Sequence, residues 1–287
     1  MKIRSEYATK SDVLSDFCLW EYAPAAPVEG KLRSASVLFN SFDVAGIDDR
    51  IYGFVDAIRS GFGALNTVWG VKKLGNEIGW EFYFYDYRRS ERQRSVARFL
   101  ELIRPFARCK VPVNENLSYF MFSVDVDEGI LSGSGDLEEI HVYIGNAGST
   151  VSSGISYSFK ERGTSLENFY FFFDAKKEMS QIVGKAACSA HFDEAAVSID
   201  EILWPELRDC GVIVVANKRN NDGVYFSRIN VDQFIFFLKR MGYPPGICRF
   251  VEDRRSELDH LLYDVGFDYR LEDGSLVILK SGYYGVF

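Results

Sequence analysis

The chain has few of the signals that would assign it quickly. No window approaches 18 consecutive apolar residues, so a membrane-spanning helix is excluded. The first 17 residues, MKIRSEYATKSDVLSDF, hold no signal-peptide core, because Asp12 and Asp16 interrupt the one candidate stretch. The five cysteines, Cys18, Cys109, Cys188, Cys210 and Cys248, include no C-x-x-C pair, which fits reduced thiols in a cytoplasmic protein. The three histidines, His141, His191 and His260, form no H-E-x-x-H spacing, and no G-x-S-x-G occurs, which argues against metallohydrolases and serine hydrolases. Gly133–Gly135 lacks the phosphate-loop and dinucleotide patterns. Prolines number only seven, and no Pro-, Gly- and Ser-rich linker divides the chain, so residues 1–287 read as a single domain. Basic residues (33) are outnumbered by acidic ones (41), a net charge of −8 that disfavours nucleic acid as a partner.

What is abundant is aromatic: 24 Phe, 16 Tyr and 4 Trp, 15% of the chain. They fall in short alternating runs separated by turn residues, the pattern of hairpins. Strands are expected at 34–39, 67–74, 79–88, 117–126, 138–144, 155–160, 168–174, 212–219, 224–228, 267–271 and 275–280, eleven in all. The Asn-Asn-Asp-Gly run at 220–223 is the strongest turn. Helices are expected at 48–61, 89–108, 176–190, 198–208, 231–241 and 256–265, with Ser198 and Glu201 as a capping box. Tight hairpins imply antiparallel neighbours with helices gathered on one side, an α+β fold and not a Rossmann fold.

Period-two alternation separates two kinds of strand face. In 79–88, Trp80, Phe82 and Phe84 lie opposite Glu81, Tyr83, Tyr85 and Tyr87. Phe120, Phe122 and Val124 lie opposite Tyr119, Met121, Ser123 and Asp125, and Ile140 and Val142 opposite Glu139, His141 and Tyr143. Phe169, Phe171 and Phe173 lie opposite Tyr170 and Phe172; Val224, Phe226 and Arg228 lie opposite Tyr225 and Ser227. One face is core. The other, rich in Tyr, Ser, Met and His with single charges, suits the inside of a wide closed sheet, a barrel without exposed edges. Basic residues recur at or just beyond strand ends, among them Lys72, Lys160, Lys218, Arg228 and Lys280. If they converge, they make an internal anion site beside aromatic rings.

This succession resembles the ABBA-type (PT-barrel) aromatic prenyltransferases, and the peptide-modifying branch more than the branch acting on small phenols. The likest stretches are 34–39 through 68–73, 122–144, WPELRDCGVIVVANKRNNDGVYFSRINVDQFIFFL at 204–238, and KSGYY at 280–284. The resemblance implies a closed antiparallel barrel of about ten strands, built from repeated hairpins and ringed by helices. It implies an allylic diphosphate held by Lys72, Lys160, Lys218, Arg228 and Lys280, with Tyr83, Tyr143, Tyr225 and Tyr284 shielding the cation. The acceptor would be an aromatic small molecule or a peptide, and Glu81, with Asp125 second, would remove its proton. The resemblance implies no obligatory cofactor, with magnesium optional. The sequence points to no metal site: no D-D-x-x-D run occurs, Asp48-Asp49 opens a helix, and Asp125–Glu128 reads as a strand end. Eleven strands depart from the family's ten. The rival reading is a non-catalytic α+β binding or assembly protein that offers a sheet to a peptide, with packed faces, exposed lysines and no chamber.

Overall fold

A computed structural model describes residues 4–63, 65–88, 92–112, 115–146 and 148–287. Ten strands form one closed antiparallel barrel in which every neighbour in sequence is a neighbour in space. They are β1 (Thr67–Leu74), β2 (Glu77–Tyr85), β3 (Met121–Val126), β4 (Glu139–Gly145), β5 (Ser153–Lys160), β6 (Gly163–Asp174), β7 (Val212–Lys218), β8 (Asp222–Ile229), β9 (Tyr263–Glu272) and β10 (Ser275–Val286). The barrel closes where β1 meets β10, from Val68 opposite Val286 to Leu74 opposite Lys280. Around it lie α1 (Ala35–Ala45), α2 (Arg50–Phe62), α3 (Val96–Ile103), α4 (Glu128–Ser132), α5 (Met179–Ala187), α6 (Val231–Arg240), α7 (Pro245–Asp253) and α8 (Arg255–Leu258). This is the PT-barrel architecture. No helix among the described residues is long and apolar enough to cross a membrane.

The core lies between the outer barrel wall and the helices. There Phe54 of α2 packs on Phe82, Trp204 stacks on Phe267 at 4.7 Å, and Phe234 of α6 stacks on Tyr263 at 4.2 Å. Turn chemistry sets the hairpin registers. At β9–β10, Asp273 (φ 50°) and Gly274 (φ 77°) supply the two left-handed residues of a two-residue turn that matches strand twist.

Residues 34–39 are not a strand but enter α1, where Ala35 to Phe42 are buried on every side. A short apolar run has no period to distinguish a buried strand from a fully buried helix. Removing it leaves ten strands, so the apparent excess disappears. The helix expected at 198–208 is two 3₁₀ turns, Ile199–Glu201 and Pro205–Leu207, with Pro205 interrupting the ladder between them. Ser198 there accepts from the Asp200 N–H, without the reciprocal glutamate bond. Of the helix expected at 256–265 only the first residues are helical, in α8, which ends at Leu258; α7, started by Pro245 in its first turn, precedes it, and Tyr263 already opens β9. The helix expected at 89–108 is α3, capped by Ser95, and residues 89–91 lie outside the described residues. In the turn at 220–223, Asp222 and Gly223 belong to β8. The alternation of β3 does not extend back to 119–120: Tyr119 packs outward on Phe122, while Phe120 joins the interior.

Candidate functional site

Closing the sheet carries one residue in two of each strand into a common lumen. The interior is layered along the barrel axis. At one end lie three lysines. Lys72 Nζ stands 3.0 Å from Glu81 and 2.6 Å from Asp125, neighbours across β2 and β3. Lys218 Nζ donates to both oxygens of Asp268 at 2.7 Å and to the Tyr225 hydroxyl at 3.2 Å. Lys280 Nζ is 3.4 Å from Asp268 Oδ2. Lys218 and Asp268 are almost wholly buried, with side chains 8% and 5% exposed.

The next layer is a closed ring of five tyrosines, one from each of five strands. Tyr83 neighbours Tyr143 (6.2 Å between centroids), Tyr143 neighbours Tyr170 (6.0 Å), and Tyr170 neighbours Tyr225 (6.5 Å). Tyr225 neighbours Tyr284 (6.3 Å), which returns to Tyr83 (6.0 Å). The hydroxyls of Tyr83 and Tyr225 reach toward the charged layer, donating to Glu81 at 2.9 Å and to Asp268 at 3.3 Å. Room for these rings comes from glycines facing inward. A Cβ on Gly266 would stand 2.2 Å from Tyr225 Cδ1, and one on Gly70 2.8 Å from Tyr284.

Beyond the ring is a cavity of about 220 Å³ walled by aromatic and apolar side chains, including Phe17, Trp20, Tyr85, Phe120 and Phe172. Its mouth is marked by Trp20 and Tyr87, 41% and 54% exposed.

The electrostatics follow from burial against pairing. Burial opposes ionisation of Glu81, but Lys72 and Lys280 outweigh it and hold the carboxyl well below the usual range. Asp125 goes the other way: its side chain is 60% exposed at the open end of the layer, yet desolvation by the groups crowded around it and the neighbouring Glu81 charge push it up to about 6. Asp268 is lowered because Lys218 and Lys280 overcome its burial; Lys218 is raised because Asp268 overcomes the same penalty. Lys280, opposed first by the Lys218 charge, is still raised by Asp268. Burial raises the phenols of Tyr83, Tyr143, Tyr225 and Tyr284, so they remain neutral donors. Three lysines thus face three carboxylates, a layer that is neutral with Asp125 ionised and carries one positive charge with it protonated.

Of the residues singled out in the sequence, Lys72, Lys218, Lys280, Glu81 and Asp125 meet in the charged layer, and Tyr83, Tyr143, Tyr225 and Tyr284 supply four-fifths of the ring. Lys160 is at the rim, paired with Glu139 at 3.3 Å and 59% exposed. Beside it His141 Nε2 is 3.2 Å from Glu139, and burial lowers the imidazole pKa. Arg228 is parted from the other bases. It occupies a bulge between Ser227 and Ile229 with φ 65°, beyond Tyr225 from Lys218, and binds Asp16. The sequence reading missed Tyr170, Asp268 and the N-terminal residues Phe17 and Trp20. Asp268 was visible in principle: Asp264, Gly266 and Asp268 alternate with Val265, Phe267 and Tyr269, all of which are buried.

Asp127 caps α4 through the Ile130 N–H, which accounts for one acid of the 125–128 run. No group of three or more His, Cys, Asp or Glu among the described residues is placed to hold a metal ion. No protein-family model and no curated protein matches the chain. The barrel architecture, one generally associated with prenyltransferases, and the geometry of its lumen are therefore what bear on function.

Proposed function

We propose that the chain transfers an allylic prenyl group from its diphosphate to an aromatic acceptor inside the barrel. The observation that carries this reading is the tyrosine ring between a lysine-bearing layer and an aromatic chamber. Lys72, Lys218 and Lys280 would face the diphosphate, the ring would surround the allyl carbons, and the acceptor would occupy the chamber. The C–O bond breaks with its electron pair leaving on diphosphate, and cationic side chains stabilise the charge that grows there. The acceptor's π electrons form the new bond to the allyl cation, whose charge the tyrosine faces offset and whose water the chamber excludes. The proton then lost from the acceptor passes to the departing diphosphate. Glu81 is held too acidic by the lysines to be an effective base, and Asp125, at about 6, is kept protonated by the bound anion. Neither carboxylate lines the chamber. A negatively charged ligand entering this layer favours protonated Asp125 and draws Lys218 and Lys280 away from Asp268.

The second reading is a non-catalytic barrel, and it rests on the same charge balance: each lysine already has a carboxylate partner. A partner that adds a strand is not available to it, because closure leaves no sheet edge. Incubation with dimethylallyl or geranyl diphosphate and a panel of aromatic acceptors separates the two readings. Mass spectrometry is expected to show an acceptor carrying one prenyl group. Unchanged acceptors throughout, with folded protein, favour the non-catalytic reading.

A further inference from the structure

The mouth of the aromatic chamber is crossed by an N-terminal loop closed by a bridge between Ser15 and Glu21. Its tip is tied to the barrel on several sides. Tyr85 of β2 donates to the Phe17 carbonyl at 2.5 Å, and Tyr87 to the Cys18 carbonyl at 2.9 Å. Across the mouth, the Phe17 N–H donates to Asp264 of β9 at 2.7 Å. Arg228 of β8 binds Asp16 through Nε at 2.9 Å, and the other Asp16 oxygen accepts from the N–H groups of Cys18 and Trp20. Trp20 lies 6.2 Å from the Phe172 ring of β6, and Phe17 lies 6.1 Å from Tyr284 of the tyrosine ring.

Two residues are held in the left-handed region to make this arrangement, Leu19 (φ 59°) in the loop and Arg228 (φ 65°) in the bulge that breaks the β8–β9 register. Non-glycine residues reach that region at a cost, and surrounding contacts must sustain it. The bulge is what turns the Arg228 side chain toward Asp16 instead of leaving it in the alternation of β8. The chamber behind the loop, about 220 Å³ and open at the mouth beside Trp20 and Tyr87, is below the roughly 300–1,000 Å³ of drug-sized ligand sites. A space of that size suits a planar ring of one or two cycles; a peptide backbone requires the loop to leave.

We propose that the loop around Phe17 and Trp20, latched by Arg228 to Asp16, is the roof that selects the acceptor, restricting the chamber to small planar aromatic molecules and excluding peptides. The transferase reading enters only in naming the bound ring the acceptor. Phe17 and Trp20 are specificity-determining residues, and Arg228 is a positioning residue that acts through the loop.

The test is calorimetric titration of the full chain, without prenyl donor, with 1-naphthol and with a head-to-tail cyclic hexapeptide bearing one tyrosine. The wild type is expected to prefer naphthol by about 100-fold or more, and Trp20→Ala and Arg228→Gln are each expected to reduce that preference about tenfold. Naphthol should also quench the Trp20 fluorescence, since Trp69, Trp80 and Trp204 pack in the core outside the lumen. Trp20 is partly exposed, so its truncation keeps the test open if Arg228→Gln fails to fold. Equal binding of the two ligands by the wild type, binding of neither, or a preference unchanged in Trp20→Ala overturns the proposal. Absence of diphosphate binding with the naphthol preference intact removes the transferase reading alone.

Discussion

Gly266 shows how one missing side chain shapes the lumen. It pairs with Tyr225 across β8 and β9, and a methyl group there would overlap the ring it faces. Gly266→Ala is therefore expected to displace Tyr225, open the tyrosine ring and cost about 1–3 kcal/mol, read from the urea midpoint. An unchanged midpoint would show that the ring is loosely held. At this scale the sequence was legible wherever period two applied. Tyr83, Tyr143 and Tyr225 were placed on the inward face by alternation, whereas Tyr284, beyond the last expected strand at 275–280, followed only from the resemblance at 280–284. Tyr170 lay on the same face of its strand but stood beside Phe172, so nothing in the pattern marked it. Arg228 shows the limit of the rule, because a bulge reverses alternation and the sequence carries no glycine or proline to announce one.

Elements were legible in proportion to their periodicity. The hairpins and α2 and α6 follow from alternation and helical spacing. Residues 34–39 did not, since α1 is buried all round and a run without a polar face has no period to read. The N-terminal loop was invisible for another reason: its contacts with Asp264 and Arg228 join residues more than two hundred positions apart. That junction is expected to make stability depend on pH. Burial and the Asp16 charge push Asp264 up to about 7, so in the folded chain it binds a proton that the unfolded chain has released. Its contribution is fully present below the unfolded value near 3.8 and is lost as pH rises through 7. Asp16, also raised by burial, acts with the same sign although Arg228 opposes it. Between pH 5 and pH 8 the wild type should lose about 3 kcal/mol from this source, and Asp264→Asn should lose less. Melting profiles of equal pH slope in both proteins would contradict the assignment.

For the whole molecule, closure does what no single strand could. It converts ten half-polar faces into one lumen and leaves the apolar faces to pack against helices. It also removes the edges that so aromatic a sheet would otherwise expose. The class of fold was readable from the sequence because the inward faces are too aromatic for solvent and too polar for a packed core. The charge balance of the lumen was not readable, because lysines at strand ends are conspicuous whereas Asp268 becomes their partner only once β9 lies between β8 and β10. The account rests on those lysines exchanging carboxylates for a diphosphate. Calorimetric titration with dimethylallyl and geranyl diphosphates, with and without magnesium, tests this directly. The account predicts micromolar binding, weakened about tenfold or more in Lys218→Ala and Lys280→Ala. No heat from either ligand with a folded wild-type protein, or binding indifferent to both substitutions, would contradict it.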